Sequence, residues 1–354
     1  MKVERSPENP ILTPAMVRAS SPDLEVVGVF NAGVIRHDGD VVLLLRVSEA
    51  PKGIPSDEVA AAVYNPSSSR LEIKRWSRGE PNLDLSDPRS IDTPGQTWLT
   101  SISHLRVARS TDGIHFDVEP RPALSAATEY ESYGVEDPRI TLIGDTYWIN
   151  YTAVSPHGIT TGLASTKDFK SFERHGLIFS PPNRDVTIFP EKIGGAYVAL
   201  HRPMPEGLGK PAMWIATSPD MLSWGSHRSV ATAREGTWDD EKIGGGAVPF
   251  RVSTGSVEGW LAVYHGVTAA TTTYSLGALL LDANDPGKVI ARSRDPILSP
   301  ETPYEREGFF GGVVFTCGLL AEGDLVRIYY GAADGVMAVA DLYLEDILAG
   351  MTGA

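Results

Sequence analysis

Short apolar runs bounded by Gly, Asp, Asn or Pro recur from end to end of this chain, and few stretches sustain a helical period. The runs are rich in β-branched and aromatic residues, the composition of strands. Five of them share one layout: a Gly-marked turn, an apolar strand, then a polar or ionisable end. They are Gly39–Arg46 (GDVVLLLR), Gly144–Tyr151 (GDTYWINY), Gly195–Arg202 (GAYVALHR), Gly259–His265 (GWLAVYH) and Gly323–Tyr330 (GDLVRIYY). A second echo joins a small-residue strand end to a Ser/Thr-x-Asp turn and an aromatic: ARSTDGIHF at 108–116, ASTKDFKSF at 164–172 and ATSPDMLSW at 216–224. Recurrence at about 50–65 residues is the spacing of four-stranded propeller blades. The pattern predicts an all-β chain, a five-bladed β-propeller with a short C-terminal helix. Strand ends from every blade would then gather polar residues around one channel.

The repeat argues for one domain over residues 1–354. Residues 1–27, with ENPILTP, read as an N-terminal extension running onto the toroid. Residues 49–97 are charged and Pro-rich; they read as a long excursion near the channel mouth, or as a disordered solvent loop. Residues 340–354, with ADLYLEDILAGM, show helical spacing and read as a closing helix.

Composition narrows the function classes. Hydrophobic content of 42% with 21% charged residues is ordinary for a soluble globular protein. A net charge of −14 argues against nucleic acid as a partner but allows a local cationic pocket. The single cysteine, Cys317, rules out an intramolecular disulfide. MKVERSPENP lacks a signal peptide's apolar core, and no apolar run reaches membrane-spanning length, so a cytoplasmic location is expected. The His residues include no HExxH, and no metal or organic cofactor is implied. A homo-oligomer is compatible with the chain, homodimers being the commonest closed assembly.

The strongest local chemical signal is Tyr133-Gly134-Val135-Glu136-Asp137-Pro138-Arg139. In an extended segment Glu136 and Asp137 point to opposite faces, so one alone would face a channel. Asp137 reads equally as a carboxyl held in a partly dry channel, with its pKa raised, or as a turn residue capping backbone amides before proline. Arg184, His201-Arg202, Lys242 and His265 fall at or just before strand ends in successive repeats. Each alone reads as structural; together they would suit an anion such as phosphate. Gly244-Gly245-Gly246 lacks the following Gly-Lys-Ser/Thr of a phosphate loop and reads as a close backbone approach. GFFGG at 308–312 lacks a helix context for nucleotide binding. Trp98, Tyr133, Trp148, Tyr264 and Tyr274 divide between blade cores and sugar stacking.

With these strings assembled, the chain resembles glycoside hydrolase family 130, the inverting mannoside phosphorylases and related β-mannosidases. The matching strings are ENPIL, FNAG, LLLRV, VEDPRIT, FPEKIGG, LHRP, KIGGGAVP, YHGV, GFFGGVVF and YYGAAD, in the family order and over nearly the whole chain. The resemblance implies a five-bladed propeller in which Asp137 is the general acid. It implies phosphate contacts at Arg184, Arg202, Lys242, His265 and Tyr274. Asn31, Arg46 and Asp334 would line the mannosyl pocket; Arg139 and His201, inside the same strings, are assigned to substrate as well. One departure is Gly335-Val336-Met337 after Asp334, where relatives commonly carry Thr or Ser. The implied reaction is phosphorolysis of a β-1,2- or β-1,4-linked manno-oligosaccharide to α-mannose 1-phosphate, with inorganic phosphate as co-substrate. A β-mannosidase on the same scaffold is the alternative, with Glu136, Asp185 or Asp239 as base. A non-catalytic glycan-binding propeller is the third reading.

Overall fold

The computed structural model describes residues 1–205, 207–255 and 257–353. The chain is all-β. Among the described residues the strands build five antiparallel meanders. The first runs Leu24–His37, Asp40–Pro51, Ile102–Ser110 and Asp117–Val118; the second Gly134–Ile143, Thr146–Ser155, Gly158–Thr166 and Glu173–Phe179. One parallel pairing, Gly134 with Ser103, joins these two. The third is Asn183–Ile188, Tyr197–Pro203, Met213–Ser218 and Gly225–Ala231; the fourth is Lys242–Gly245, Val257–Val267, Tyr274–Asp282 and Val289–Ser293. In the fifth, Val314–Glu322, Leu325–Ala332 and Val336–Tyr343 are completed by Glu4–Arg5 from the other end of the chain.

All five Gly-marked repeats are the second strands of their meanders. Their apolar runs are continuous because both faces are buried. Val41, Leu43, Leu45 and Val47 pack with Tyr329, Met337 and Val339 of the fifth meander, whereas Val42 and Leu44 pack with Val135, Ile140 and Ile149 of the second. The same division recurs in cyclic order. Leu163 and Phe179 meet Val186 and Ala199, Leu200 and Met213 meet Trp260 and Tyr264, and Leu261 and Val263 meet Val326 and Ile328. The Ser/Thr-x-Asp echo forms the turn between third and fourth strands. Oγ of Ser110, Oγ1 of Thr166 and Oγ of Ser218 accept the backbone N–H three residues on, at 2.8, 3.0 and 2.9 Å. The Asp side chains accept from the amides two and three residues on.

The ends depart from expectation in detail. The helix expected over 340–354 is confined to Leu344–Ala349. Ala340–Tyr343 belongs to a strand, because Ala340 and Leu342 alternate with Asp341, whose carboxylate takes both arms of Arg327 across the sheet at 2.7 and 2.8 Å. Met351–Gly353 pairs with Val289–Ser293, and Ala354 lies outside the described residues. The first meander begins at Leu24, inside the stretch read as an extension, and Glu4–Arg5 in that stretch is itself a strand. Segment 49–97 holds two hairpins, Glu58–Asn65 with Arg70–Ser77 and Ser90–Thr93 with Gln96–Leu99. Trp76, Trp98 and Tyr133 meet in succession as tilted ring pairs with centroids 5.4 and 6.0 Å apart, tying these hairpins to the start of strand Gly134–Ile143.

Candidate active site

The first strands of three meanders share a defect. Pairing shifts register between Phe30 and Gly33, between Glu136 and Arg139, and between Arg184 and Thr187. Inside the bulges sit Asn31, Asp137 and Asp185, at φ of 50°, 48° and 55°. Asn and Asp visit this left-handed region more readily than other side chains. A bulge breaks the two-residue alternation and re-aims side chains. Glu136 and Asp137 therefore both line one cavity, which corrects the expectation that they face opposite ways.

That cavity, of about 420 Å³, brings together Asn31, Arg46, Glu136, Asp137, Arg184, Lys242, Tyr274 and Asp334. Asp87, Arg89 and Ser90 reach it from the 49–97 segment. Asp137 is 7% exposed, and its Oδ1 accepts from Asn31 Nδ2 at 3.0 Å and from Arg46 Nη1 at 2.9 Å. Arg46 also donates from Nη2 to Glu136 Oε1 at 2.8 Å and from Nε to Ser103 Oγ at 3.0 Å, and lies over the Phe30 ring. Arg184 Nη2 stands 3.9 Å from Glu136 Oε2. Lys242 Nζ lies 5.1 Å from the centre of the Tyr274 ring.

The remaining expected residues do not line the cavity. Arg202 and His265 converge behind it on Asp185. Arg202 Nε donates to Asp185 Oδ2 at 2.6 Å, and His265 Nε2 stands 3.6 Å from the same oxygen. All three side chains are buried over Gly244. A Cβ there would lie 2.5 Å from Asp185 Oδ2 and from His265 Cε1, and 2.7 Å from Arg202 Nε. His265 is not the cation its sequence position suggested. Burial pushes its pKa down to about 3, and Arg202 and Lys242 add to the effect while Asp185 opposes it. Its Nδ1 is buried without a partner among the described residues, as is Nε of Arg184.

Arg139 and His201 are corrections of a different kind. Arg139 spends its donors on backbone: Nη1 to Asp137 O at 3.0 Å, Nη2 to Gly245 O at 2.9 Å and Nε to Gly246 O at 3.0 Å. It fastens the Asp137 bulge to the strand carrying Lys242. His201 stacks on Phe179 and meets Asn183 Nδ2 and His227 Nδ1, away from the cavity. Of the aromatics considered, Tyr274 lines the cavity, whereas Tyr264 is buried on Asp239 and Trp148 packs against His175. Asp185 is the residue whose role the sequence hid. The signal was present in NRDVTIF, where an Asp stands directly before the apolar part of a first strand, as Asn31 does in FNAG and Asp137 in VEDPR.

The carboxyls are tuned apart. Burial works to raise the pKa of Asp137, but Arg46, then Arg139, outweigh it and hold Asp137 below its ordinary value. The raised pKa expected there is found instead at Asp334, which burial pushes up to about 6 against Arg46 and with help from Asp137. Asp185 is held low because Arg202 and Arg139 outweigh its burial. No group of three or more His, Cys, Asp or Glu side chains among the described residues is arranged to hold a metal ion, and no helix there is long and apolar enough to cross a membrane.

A family model described as beta-1,4-mannooligosaccharide phosphorylase matches residues 97–352. The chain belongs to glycoside hydrolase family 130. One relative is similar throughout: the chain is 46% identical over 352 residues to a beta-1,2-mannobiose phosphorylase of Listeria innocua serovar 6a, covering 98% of each. It is 40% identical over 314 residues to a 1,2-beta-oligomannan phosphorylase of Thermoanaerobacter sp., covering 87% of this chain and 99% of that one. In three dimensions it matches the beta-1,2-mannobiose phosphorylase from Listeria innocua in its beta-1,2-mannobiose complex with a TM-score of 0.95, at 45% identity and 99% coverage of both chains.

Proposed function

We propose that this protein is an inverting phosphorylase that cleaves a β-mannoside with inorganic phosphate, giving α-mannose 1-phosphate and a shortened sugar. The observation that carries the reading is one cavity holding Asp137 together with Arg184 and Lys242. Arg184 Nε, a buried donor without a partner among the described residues, belongs to a residue that would take an oxyanion. The five meanders, packed in cyclic order and completed by Glu4–Arg5, support the reading as a five-bladed propeller, and the first strand of each lends the cavity a residue: Asn31, Asp137, Arg184, Lys242 and Phe315. Among linkages β-1,2 is favoured, because the relative similar over the whole chain bears that name. Phosphate is a co-substrate, and the chemistry calls for no metal or organic cofactor. A cytoplasmic location suits an enzyme that consumes phosphate and whose one cysteine, Cys317, is buried and unpaired.

Phosphate gathered by Arg184, Lys242 and Tyr274, with Arg202 and His265 behind them, attacks the anomeric carbon from the face opposite the leaving oxygen. The new C–O bond to phosphate forms as the glycosidic C–O bond breaks, so configuration inverts. Asp137 supplies the proton that the leaving oxygen takes up, by relay through the mannosyl 3-hydroxyl as the family resemblance implies. Asn31 and Arg46 hold the carboxyl, and Asp334 completes the sugar pocket. The depressed pKa of Asp137 follows from its arginines. A phosphate dianion placed against Arg184 offsets part of that field and raises the proton affinity of the acid when the nucleophile is in place. Phosphate is already an anion, so no second carboxylate need activate it.

Water as nucleophile fits the site less well. Glu136 reaches the cavity, but one of its oxygens is bonded to Arg46 and the other faces Arg184. Asp185 and Asp239 are buried off the cavity on arginines, Asp239 with Arg234 at 3.0 Å and Arg292 at 2.6 Å. The deciding experiment is incubation with β-1,2-mannobiose with and without phosphate. Formation of α-mannose 1-phosphate only with phosphate is expected; free mannose released at equal rate without it would favour hydrolysis.

A further inference from the structure

We infer that Glu136 is a positioning residue that engages both Arg46 and Arg184 beside Asp137, weakening phosphate binding while helping the acid to keep its proton. The inference rests on the phosphorolytic reading above. Glu136 is 6% exposed and belongs to the second meander, whereas Arg46 comes from the first and Arg184 from the third. Its Oε1 accepts from Arg46 Nη2 at 2.8 Å, and its Oε2 faces Arg184 Nη2 at 3.9 Å. One carboxylate thus spans the arginine that contacts the acid and the arginine proposed to contact phosphate.

Two effects of opposite sign follow. The negative charge beside Arg184 subtracts from that side chain's attraction for a phosphate dianion. The same charge engages Arg46 Nη2, leaving Nη1 for Asp137, and its field favours protons on both Asp137 and Asp334. The other groups facing Asp137 are Arg139 on its own strand, Asp334 from the 332–336 turn and Cys317 from strand Val314–Glu322. Of these, Arg139 and Cys317 keep their contacts when Glu136 alone is neutralised, whereas Asp334 loses one of the charges that hold its proton. A residue that merely supported the fold would, on removal, weaken phosphate binding and turnover together.

The test is E136Q in the full-length chain, with inorganic phosphate as probe in titration calorimetry, β-1,2-mannobiose phosphorolysis across pH, and thermal melting. Phosphate is expected to bind about tenfold tighter, the order produced by removing one unit charge a few ångströms away in a partly wet site. Turnover should fall about tenfold or more, and the limb on which activity is lost with rising pH should move to lower pH. E136D, which keeps the charge, should keep the wild-type phosphate affinity. Weaker phosphate binding with a lowered Tm in E136Q, or tightening in E136D equal to that in E136Q, would overturn the inference. Wild-type protein that binds no phosphate would overturn the phosphorolytic reading with it; wild-type and E136Q proteins that bind phosphate equally at every pH would overturn the inference alone.

Discussion

Arg46 donates from Nη1 to Oδ1 of Asp137 at 2.9 Å, reaching from the first meander to the bulge of the second. Both side chains are largely withdrawn from water, so this contact sets the protonation of the carboxyl more than the chain's net charge does. It also fixes the direction from which a proton can leave, since Asn31 occupies the same oxygen.

Asp137→Asn keeps the size of the side chain and removes the proton donor. Turnover should fall by at least about 10²–10⁴-fold, the usual worth of general-acid help, with substrate binding largely kept. Steady-state phosphorolysis beside mannobiose titration measures both; near-wild-type turnover would remove Asp137 from its proposed role.

Lys242 and Arg202 should separate by what each touches. Lys242 lines the cavity and packs on Tyr274, so Lys242→Ala should raise the phosphate KM about tenfold or more with little change in Tm. Arg202 is the nearest partner of Asp185 in a buried pair, and Arg202→Ala leaves that carboxylate only Arg139 at 3.6 Å, at a cost of up to about 3–5 kcal/mol. Its melting temperature should fall along with phosphate affinity. Unchanged melting in Arg202→Ala would mean that Asp185 finds other partners.

The pH dependence of stability has a distinct signature at Asp334. Its pKa rises from an ordinary 3.8 to about 6 on folding, so the folded chain holds this proton more tightly than the unfolded one. That contribution is fully present below pH 3.8 and is lost as pH climbs through 6. Asp137 and Asp185, both depressed, act in the opposite sense: their contribution is present above the ordinary carboxylate range and lost as pH falls. The Tm of the wild-type protein minus that of Asp334→Asn should therefore decrease from about pH 4 to about pH 7. The change corresponds to about 1.4 kcal/mol for each pH unit between folded and unfolded values. A difference that stays level across this range would show that Asp334 titrates normally.

Gly244→Ala tests the convergence behind the cavity. The added carbon would meet Asp185, His265 and Arg202 at 2.5–2.7 Å, so at least one must move. A phosphate KM raised severalfold, with kcat changed less, is expected from steady-state kinetics. Wild-type phosphate dependence would place the cluster outside phosphate binding.

Much of the architecture is legible in the chain because it depends on local alternation and turn chemistry. GDVVLLLR and its four counterparts are apolar on both faces and carry Gly at the preceding turn, so each reads as a buried strand. Ser110, Thr166 and Ser218 cap their turns through bonds three residues long. The helix at 344–349 was overdrawn because ADLY satisfies a helical spacing as well as an alternating one. Which one wins depended on Arg327, a strand away.

The site residues divide along the same line. Asp137, Arg184 and Lys242 are recognisable in their strings, and so is the reaction family to which those strings belong. What the amino-acid order alone could not determine is that Arg202 and His265 turn onto Asp185, that Arg139 binds backbone, or that the raised carboxyl pKa belongs to Asp334. Those outcomes depend on bulges that undo the two-residue alternation and on partners such as Asn31 and Asp137, 106 positions apart. Local periodicity determines which residues pair within a meander. Burial and Coulomb forces between meanders exist only once the tertiary structure has brought distant charges together, and they decide which ionisable group does what.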